Sequence, residues 1–273
     1  MQERWMITGA GGQLGLRLAA LLPSATAFTR ETLDITSPAA VKAAVAEHDL
    51  IINTAAWTDV DGAEANEALA TSVNGAAELA SACSDAGARL IHLSTDYVFD
   101  GRGTTPYAED APTAPINAYG RSKLAGERAV LAAGGTVVRT AWLYDTTGRN
   151  FLTTMLRLAS ERETLDVVDD QHGQPTWAHA LAEQLVALGR AKAPAGIYHG
   201  TSSGQTSWYH FARAIFQNAG LDPERVRPTT TDKFPRSAQR PAYSVLGHDG
   251  WAKAGLAPMA PWDTTLAQAL ALG

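Results

Sequence analysis

Thr8-Gly9-Ala10-Gly11-Gly12-Gln13-Leu14-Gly15 is the stretch that decides the fold. The apolar run Trp5 to Thr8 leads into it as a short strand, and Gln13 to Leu22 leaves it with apolar residues at helical spacing. Gly9, Gly12 and Gly15 recur at every third position. Between a strand and a helix, the first glycine allows a tight turn. The second lets backbone approach a pyrophosphate, and the third lets helix and strand touch. The helix N-terminus then offers free N–H groups and partial positive charge to phosphate oxygens. The stretch reads as a dinucleotide-binding turn.

Working outward, strands and helices alternate. Thr26 to Thr29 reads as a second strand. Ser37 and Pro38 open a helix to about Glu47, as N-cap and first helical residue. Asp49 to Asn53 is a third strand, Asn66 to Ala86 one long Ala-rich helix stopped at Gly87, and Ala88 to Ser94 a fourth strand. After a loop from Asp100 to Pro115 come a helix from Asn117 to Leu131 and a fifth strand from Thr136 to Thr140. The alternation predicts an α/β fold, a doubly wound parallel sheet of Rossmann type. Beyond Ala141 the rhythm loosens. Helices are expected at Asn150 to Glu161, Trp177 to Arg190 and Ser207 to Ala219, with a candidate sixth strand at Leu165 to Val168. The expected division is a nucleotide-binding domain over 1–145, helped by later segments, and a smaller mixed α/β substrate lobe over 146–273.

Composition narrows the function classes. The chain has 273 residues, with Lys+Arg 22 against Asp+Glu 28 and a net charge of −6. An acidic surface argues against nucleic acid as a partner. Cys83 stands alone, so no intrachain disulfide can form, and no zinc-ligand spacing occurs. Its place in an Ala-rich helix predicts buried packing. No signal peptide is read at the N-terminus, and no apolar run approaches the ~20 residues of a membrane span. The expectation is a cytoplasmic protein with no membrane partner and no required metal; a homodimer is compatible with it.

The candidate chemistry lies in Tyr119-Gly120-Arg121-Ser122-Lys123. Residues four apart share a helix face. An ammonium beside a phenol favours the phenolate, so Lys123 is expected to lower the pKa of Tyr119, and the pair can exchange a proton with a substrate oxygen. Lys123 could also hold the nicotinamide ribose. Thr95, at the C-terminal end of the fourth strand where open α/β sheets bind ligands, supplies a hydroxyl for a carbonyl that gains charge. The second strand ends Phe28-Thr29-Arg30 with no acid for a ribose 2′-hydroxyl. Arg30 suits a 2′-phosphate instead, which favours NADPH over NADH although Glu31 follows.

Taken together these motifs resemble the dTDP-4-dehydrorhamnose reductase family of the extended short-chain dehydrogenase/reductase group. The resemblance runs in order through TGAGGQLG (8–15), LDIT (33–36), INTAAWTDVDGAE (52–64), STDYVFDG (94–101), YGRSKLAGE (119–127), RTAWLY (139–144), Asn150-Phe151, DQHGQPTWA (170–178) and Arg240-Pro241. It implies that Gly12, Gln13 and Leu14 line the pyrophosphate, that Asp34 and Ile35 border the adenine, and that Ala55, Ala56 and Trp57 follow the cofactor. It implies Thr95, Tyr119 and Lys123 as catalytic. It implies Thr95, Asp96 and Trp142 at the sugar, and Asn150, Gln174, Pro175 and Arg240 at the sugar or its diphosphate. Arg240 closes a locally basic stretch with Arg225, Arg227, Lys233 and Arg236, and guanidinium suits phosphate.

The implied reaction is NADPH-dependent reduction of a dTDP-4-keto sugar to dTDP-L-rhamnose, with a sugar nucleotide as partner. Dehydratases on this scaffold carry Thr-Asp-Glu where Thr95-Asp96-Tyr97 stands, which removes an acid–base that water elimination needs. Two alternatives stay open. One is a reductase of another 4-keto deoxysugar nucleotide, of the dihydrostreptose type. The other is a non-catalytic regulatory relative, which would be expected to have lost Tyr119 or Lys123.

Overall fold

The computed structural model describes residues 3–272. In chain order the elements are β1 (Trp5–Thr8), α1 (Gln13–Leu21), β2 (Thr26–Phe28), α2 (Pro38–Val45), β3 (Leu50–Asn53), α3 (Val60–Ala65), α4 (Glu67–Asn74), α5 (Ala77–Ala86), β4 (Arg89–Thr95), α6 (Ala118–Ala132), β5 (Thr136–Thr140) and β6 (Leu143–Tyr144). There follow α7 (Phe151–Glu161), β7 (Leu165–Val168), β8 (His172–Gly173), β9 (Thr176–Trp177), α8 (Ala178–Arg190), β10 (Ile197–His199), β11 (Thr206–Ser207), α9 (Trp208–Asn218), β12 (Val226–Thr229), α10 (Gly250–Lys253) and α11 (Trp262–Leu272).

Six strands form one parallel sheet in the order β10-β5-β4-β3-β1-β2. Side chains alternate across it, as the two-residue strand period demands. Trp5, Ile7, Leu50, Ile52, Ile91, Leu93 and Val138 point to one face and pack against α1 and α8. Met6, Ile51, Leu90 and Val137 point to the other, against α2, α5 and α6. Both faces are covered, so the strands read as continuous apolar runs. One register row has a different character: Thr8 of β1 pairs with Asn53 of β3, and Asn53 with His92 of β4. A second core holds Tyr144, Leu152, Met155, Phe211, Ile215, Phe216 and Leu266, from β6, α7, α9 and α11. Cys83 is buried in the first core, and burial pushes its thiol up to about 12. Among the described residues no helix is long and apolar enough to cross a membrane.

Two expected elements differ. The helix from Asn66 to Ala86 is two helices, α4 and α5, parted at Gly75-Ala76, where Ala76 takes a φ of 47°. The break turns Asn74 inward. Its Oδ1 accepts the Trp57 N–H, and its Nδ2 donates to Trp57 O and to Ser122 Oγ, tying the loop after β3 to α6. Leu165–Val168 is a strand, but it pairs with β12 in a small separate sheet. The sixth strand of the main sheet is β10, beside β5.

Candidate active site

The glycine turn joins β1 to α1. A Cβ on Gly9 would lie 2.5 Å from Ala55 N, and one on Gly15 would lie 2.2 Å from Gly9 O, so backbone meets backbone at both positions. Gly9 also has φ 73°, a region that favours glycine. Gly12 caps α1 without a side-chain hydrogen bond, and no acid stands in the first turn. The first N–H groups of the helix are therefore left to a ligand, as a pyrophosphate requires. These residues fit a dinucleotide. Gln13 Nε2 donates to Arg149 O at 3.0 Å and fixes the far wall.

The turn opens on a cavity of about 560 Å³ at the C-terminal ends of the strands, and Thr95, Asp96, Tyr119, Lys123, Trp142 and Asn150 also line it. Asn117 caps α6 by accepting the Gly120 N–H, which starts the helix one residue before Tyr119. A Cβ on Gly120 would sit 2.2 Å from Tyr97 O, so α6 is pressed against the turn that follows β4. Thr95 Oγ1 donates to Asp96 Oδ1 at 3.0 Å. Asp96 is 2% exposed, and its Oδ2 has no hydrogen-bond partner. Burial pushes its carboxyl up to about 7, against the pull of the Ser244 and Thr95 hydroxyls.

The expected effect of Lys123 on Tyr119 is not what this geometry gives. Burial first, and then the Asp96 charge, push the Tyr119 hydroxyl up to about 12; the facing Thr95 hydroxyl opposes them. The Lys123 amine is drawn inward instead, donating to Leu93 O with His92 Nε2 at 3.5 Å. Burial brings it down to about 8, against the pull of Glu127. Glu127 itself is held by Ser94 Oγ at 2.6 Å and by two Arg139 nitrogens at 2.9 and 2.8 Å, all buried.

A second cavity of about 710 Å³ adjoins the first, sharing Tyr97 and Trp208 as wall. Tyr97 meets Tyr119 edge to face at 5.9 Å, and Trp208 stacks on Trp142 at 3.6 Å. Trp142 holds a φ of 46°, and a Cβ on Gly173 would lie 2.5 Å from its indole. The DQHGQPT motif thus backs Trp142 through its glycine. The far side of this cavity is the strap 234–240, tied down where Arg240 Nη2 and the Ala238 N–H meet the Asp61 carboxylate at 3.0 and 3.1 Å.

The remaining residues expected at the sugar or its diphosphate are engaged by the protein itself. Gln174 is buried behind the wall. Its Nε2 donates to Gly204 O and Leu246 O while its Oε1 accepts from Leu246 N–H and Thr201 Oγ1, so no polar atom is left for a sugar; Pro175 is buried beside it. Asn150 borders the first cavity, but its amide is engaged in the capping box of α7 and with Asp145 O and Thr147 O. Arg240 borders the second, ion-paired rather than free. Of the other cations in the basic stretch, Arg236 lines that cavity, whereas Arg225 ties down the carbonyls of Ala159, Arg162 and Glu163 at the end of α7.

On the cofactor side Ala56 lines the first cavity, while Ala55 supports Gly9 and Trp57 packs on Ala63, Ala70 and Ala118 beside Tyr119. Arg30 is exposed beyond β2, on the edge where the Ala10 N–H donates to Phe28 O. Asp34 folds onto Thr36 in a local turn, and Ile35 packs at the edge of the first core. The sequence motifs miss Trp208 and Arg149 as cavity residues, and give no role to Thr58, inside the motif over 52–64. Arg149 adjoins Asn150 and could have been found by its position; Trp208 arrives from a distant helix with no motif around it. No group of three or more His, Cys, Asp or Glu able to hold a metal occurs among the described residues.

The family model described as the RmlD substrate binding domain matches residues 3–272. A dTDP-4-keto-6-deoxy-D-glucose reductase of Streptomyces niveus is 53% identical, with 100% of this chain and 98% of the relative covered. A dTDP-4-dehydrorhamnose reductase of Streptomyces griseus is 51% identical over 98% of this chain and 93% of its own. Among solved structures, the dTDP-4-dehydrorhamnose reductase of Bacillus anthracis in complex with NADP superposes with a TM-score of 0.95 at 39% identity, covering 100% of both chains. Likeness of that extent, from the first strand to the last helix, leaves one conclusion: the chain belongs to the dTDP-4-dehydrorhamnose reductase family.

Proposed function

We propose that this enzyme reduces the C4 keto group of dTDP-4-dehydro-6-deoxy-L-mannose to give dTDP-L-rhamnose, with NADPH as reductant and Tyr119 as proton donor. The observation that carries the reading is the meeting of Thr95, Tyr119 and Lys123 with the glycine turn around one cavity. Bound NADPH supplies the hydride. Gly12, Gln13 and Leu14 would hold its pyrophosphate at the start of α1, with Ala56 beside it, and Arg30, exposed just past β2, is the candidate for a 2′-phosphate. Tyr119 keeps its proton at neutral pH, because burial and the Asp96 charge hold its pKa up to about 12. It can therefore deliver that proton to the C4 oxygen as the oxygen gains charge, while Thr95 offers a second hydroxyl. Trp142 and Trp208, stacked on each other, would form an aromatic wall beside the sugar. The cavity bordered by Arg236 and Arg240 suits the nucleoside diphosphate. On this reading residues 1–145 hold mainly the cofactor and 146–273 mainly the sugar nucleotide.

The Streptomyces niveus relative favours a second reading, reduction of another dTDP-4-keto-6-deoxy sugar on the same residues. One experiment separates them. NADPH oxidation is followed with the 4-keto sugar nucleotide generated in place by upstream enzymes, and the product is identified by NMR. dTDP-L-rhamnose supports the first reading; a product of different configuration supports the second. Tyr119→Phe is expected to cut kcat about 100- to 10,000-fold with NADPH still bound. Unchanged turnover in that variant would remove Tyr119 from the mechanism.

A further inference from the structure

Behind Lys123 runs a buried hydrogen-bond row whose donors and acceptors can be assigned. The Ala55 backbone N–H can only donate, and it donates to Asn53 Oδ1 at 3.1 Å, which fixes the orientation of that amide. Thr8 Oγ1 donates to the same oxygen at 2.7 Å. Asn53 Nδ2 is therefore a donor, and it faces His92 Nδ1 at 2.9 Å. His92 Nδ1 must accept, so the neutral ring carries its hydrogen on Nε2. A second ring proton would clash with the Asn53 amide. Burial likewise pushes His92 well below the usual histidine range, and the Lys123 charge, whenever present, adds to it. The Nε2–H is directed at Lys123 Nζ, 3.5 Å away. An amine accepts a hydrogen bond only through a lone pair, and an ammonium has none.

The geometry points to His92 as a positioning residue for Lys123: it docks the uncharged amine in the inward position and releases the ammonium toward the cavity. This rests on the reading of Lys123 as a cofactor contact. It makes NADPH binding proton-linked, because the form that turns to the cofactor carries one more proton than the form held by His92. The ionisable groups around the amine are His92 on β4, Glu127 one turn along α6, Tyr119 one turn back, and Asp96 beyond the end of β4. Glu127 is neutralised by Arg139 of β5. On the flanking helices Glu64 accepts the Ala118 N–H and Glu67 pairs with Arg121. Burial pushes Asp96 up to about 7, Lys123 down to about 8 and Tyr119 up to about 12, so Asp96 and Lys123 titrate in neighbouring ranges and a lysine-specific signal is needed to follow Lys123.

The test uses the whole chain with lysines labelled at Cε with carbon-13. There are five, Lys42, Lys123, Lys192, Lys233 and Lys253, and Lys123→Arg identifies the signal. Without cofactor, the Lys123 midpoint is expected near 8, and nitrogen-15 spectra of histidine should show His92 protonated on Nε2 alone. His92→Gln can turn its amide oxygen to the ammonium, and should move the midpoint upward by at least a unit. The NADPH dissociation constant, read by fluorescence, should rise about tenfold per pH unit above the midpoint, with the break moving in the variant. A Lys123 midpoint in the ordinary lysine range near ~10.4, or the opposite His92 tautomer, would overturn the inference without any variant. If NADPH fails to bind at every pH, the cofactor reading falls, and the titration of the free protein still decides the role of His92.

Discussion

Asp96 shows how much one buried carboxyl can do. Its folded pKa of about 7 stands above the ordinary 3.8 because burial penalises the charge. A raised carboxylate pKa contributes stability that is full below the unfolded value and lost as pH climbs through the folded one. The loss between about pH 4 and pH 7 amounts to about 4 kcal/mol. Asp96→Asn should remove that slope, and thermal melts from pH 4 to 8 would show it: wild type falls toward pH 8 more steeply than the variant, and parallel curves would refute the assignment. Tyr119, Lys123 and Thr95 were legible in the sequence because spacing and strand-end position define them. The states of Asp96 and Lys123 were not, since they depend on what packs around each group. For the same reason the sequence rule that an ammonium lowers a nearby phenol failed here, where the amine turns inward to Leu93 O.

Among the elements, β4, β5 and α6 are held in place by a charge pair inside the protein. Arg139 and Glu127 are each 2% exposed, and the guanidinium also donates to Glu109 O and lies 5.0 Å from the Phe99 ring. Removing one partner strands the other's charge. Glu127→Ala should cost about 3–5 kcal/mol in urea unfolding, whereas replacing both residues by apolar ones of similar size should recover most of the loss. A small effect of the single change would mean that solvent reaches the site. The strands of this region were readable as apolar runs, and the α6 start as Asn117 before a helical pattern. The break between α4 and α5 was not, because Asn74 is turned inward by Trp57 and Ser122, partners distant in sequence.

Over the whole molecule, the strap 234–240 is held at α3 by the Asp61 carboxylate and at the start of α6 by Asn117, whose Nδ2 donates to Gln239 O at 2.8 Å. Asp61→Ala should raise KM for the sugar nucleotide about tenfold, with a smaller change in kcat and none in NADPH affinity, because the strap loses its hold on α3 and keeps only the one on Asn117. An equal loss in NADPH affinity would show that Asp61 supports the cofactor side instead. The parallel sheet was legible because strand and helix alternate five times. The role of Gln174 as an internal brace was not, since a motif shared with a family does not say which of its members touch ligand and which hold the wall.

The place of β10 has a consequence for synthesis. Ile197–His199 is the outer neighbour of β5, yet β6, α7, β7, β8, β9 and α8 are all made between them. While the ribosome works through α7 and α8, β5 stands as an open edge carrying Val137 and Val138, a template for unwanted strand pairing. The nascent chain can close its main sheet only after β10 has emerged. Slowed elongation between α7 and β10 should therefore raise the aggregated fraction more than the same delay placed after α9.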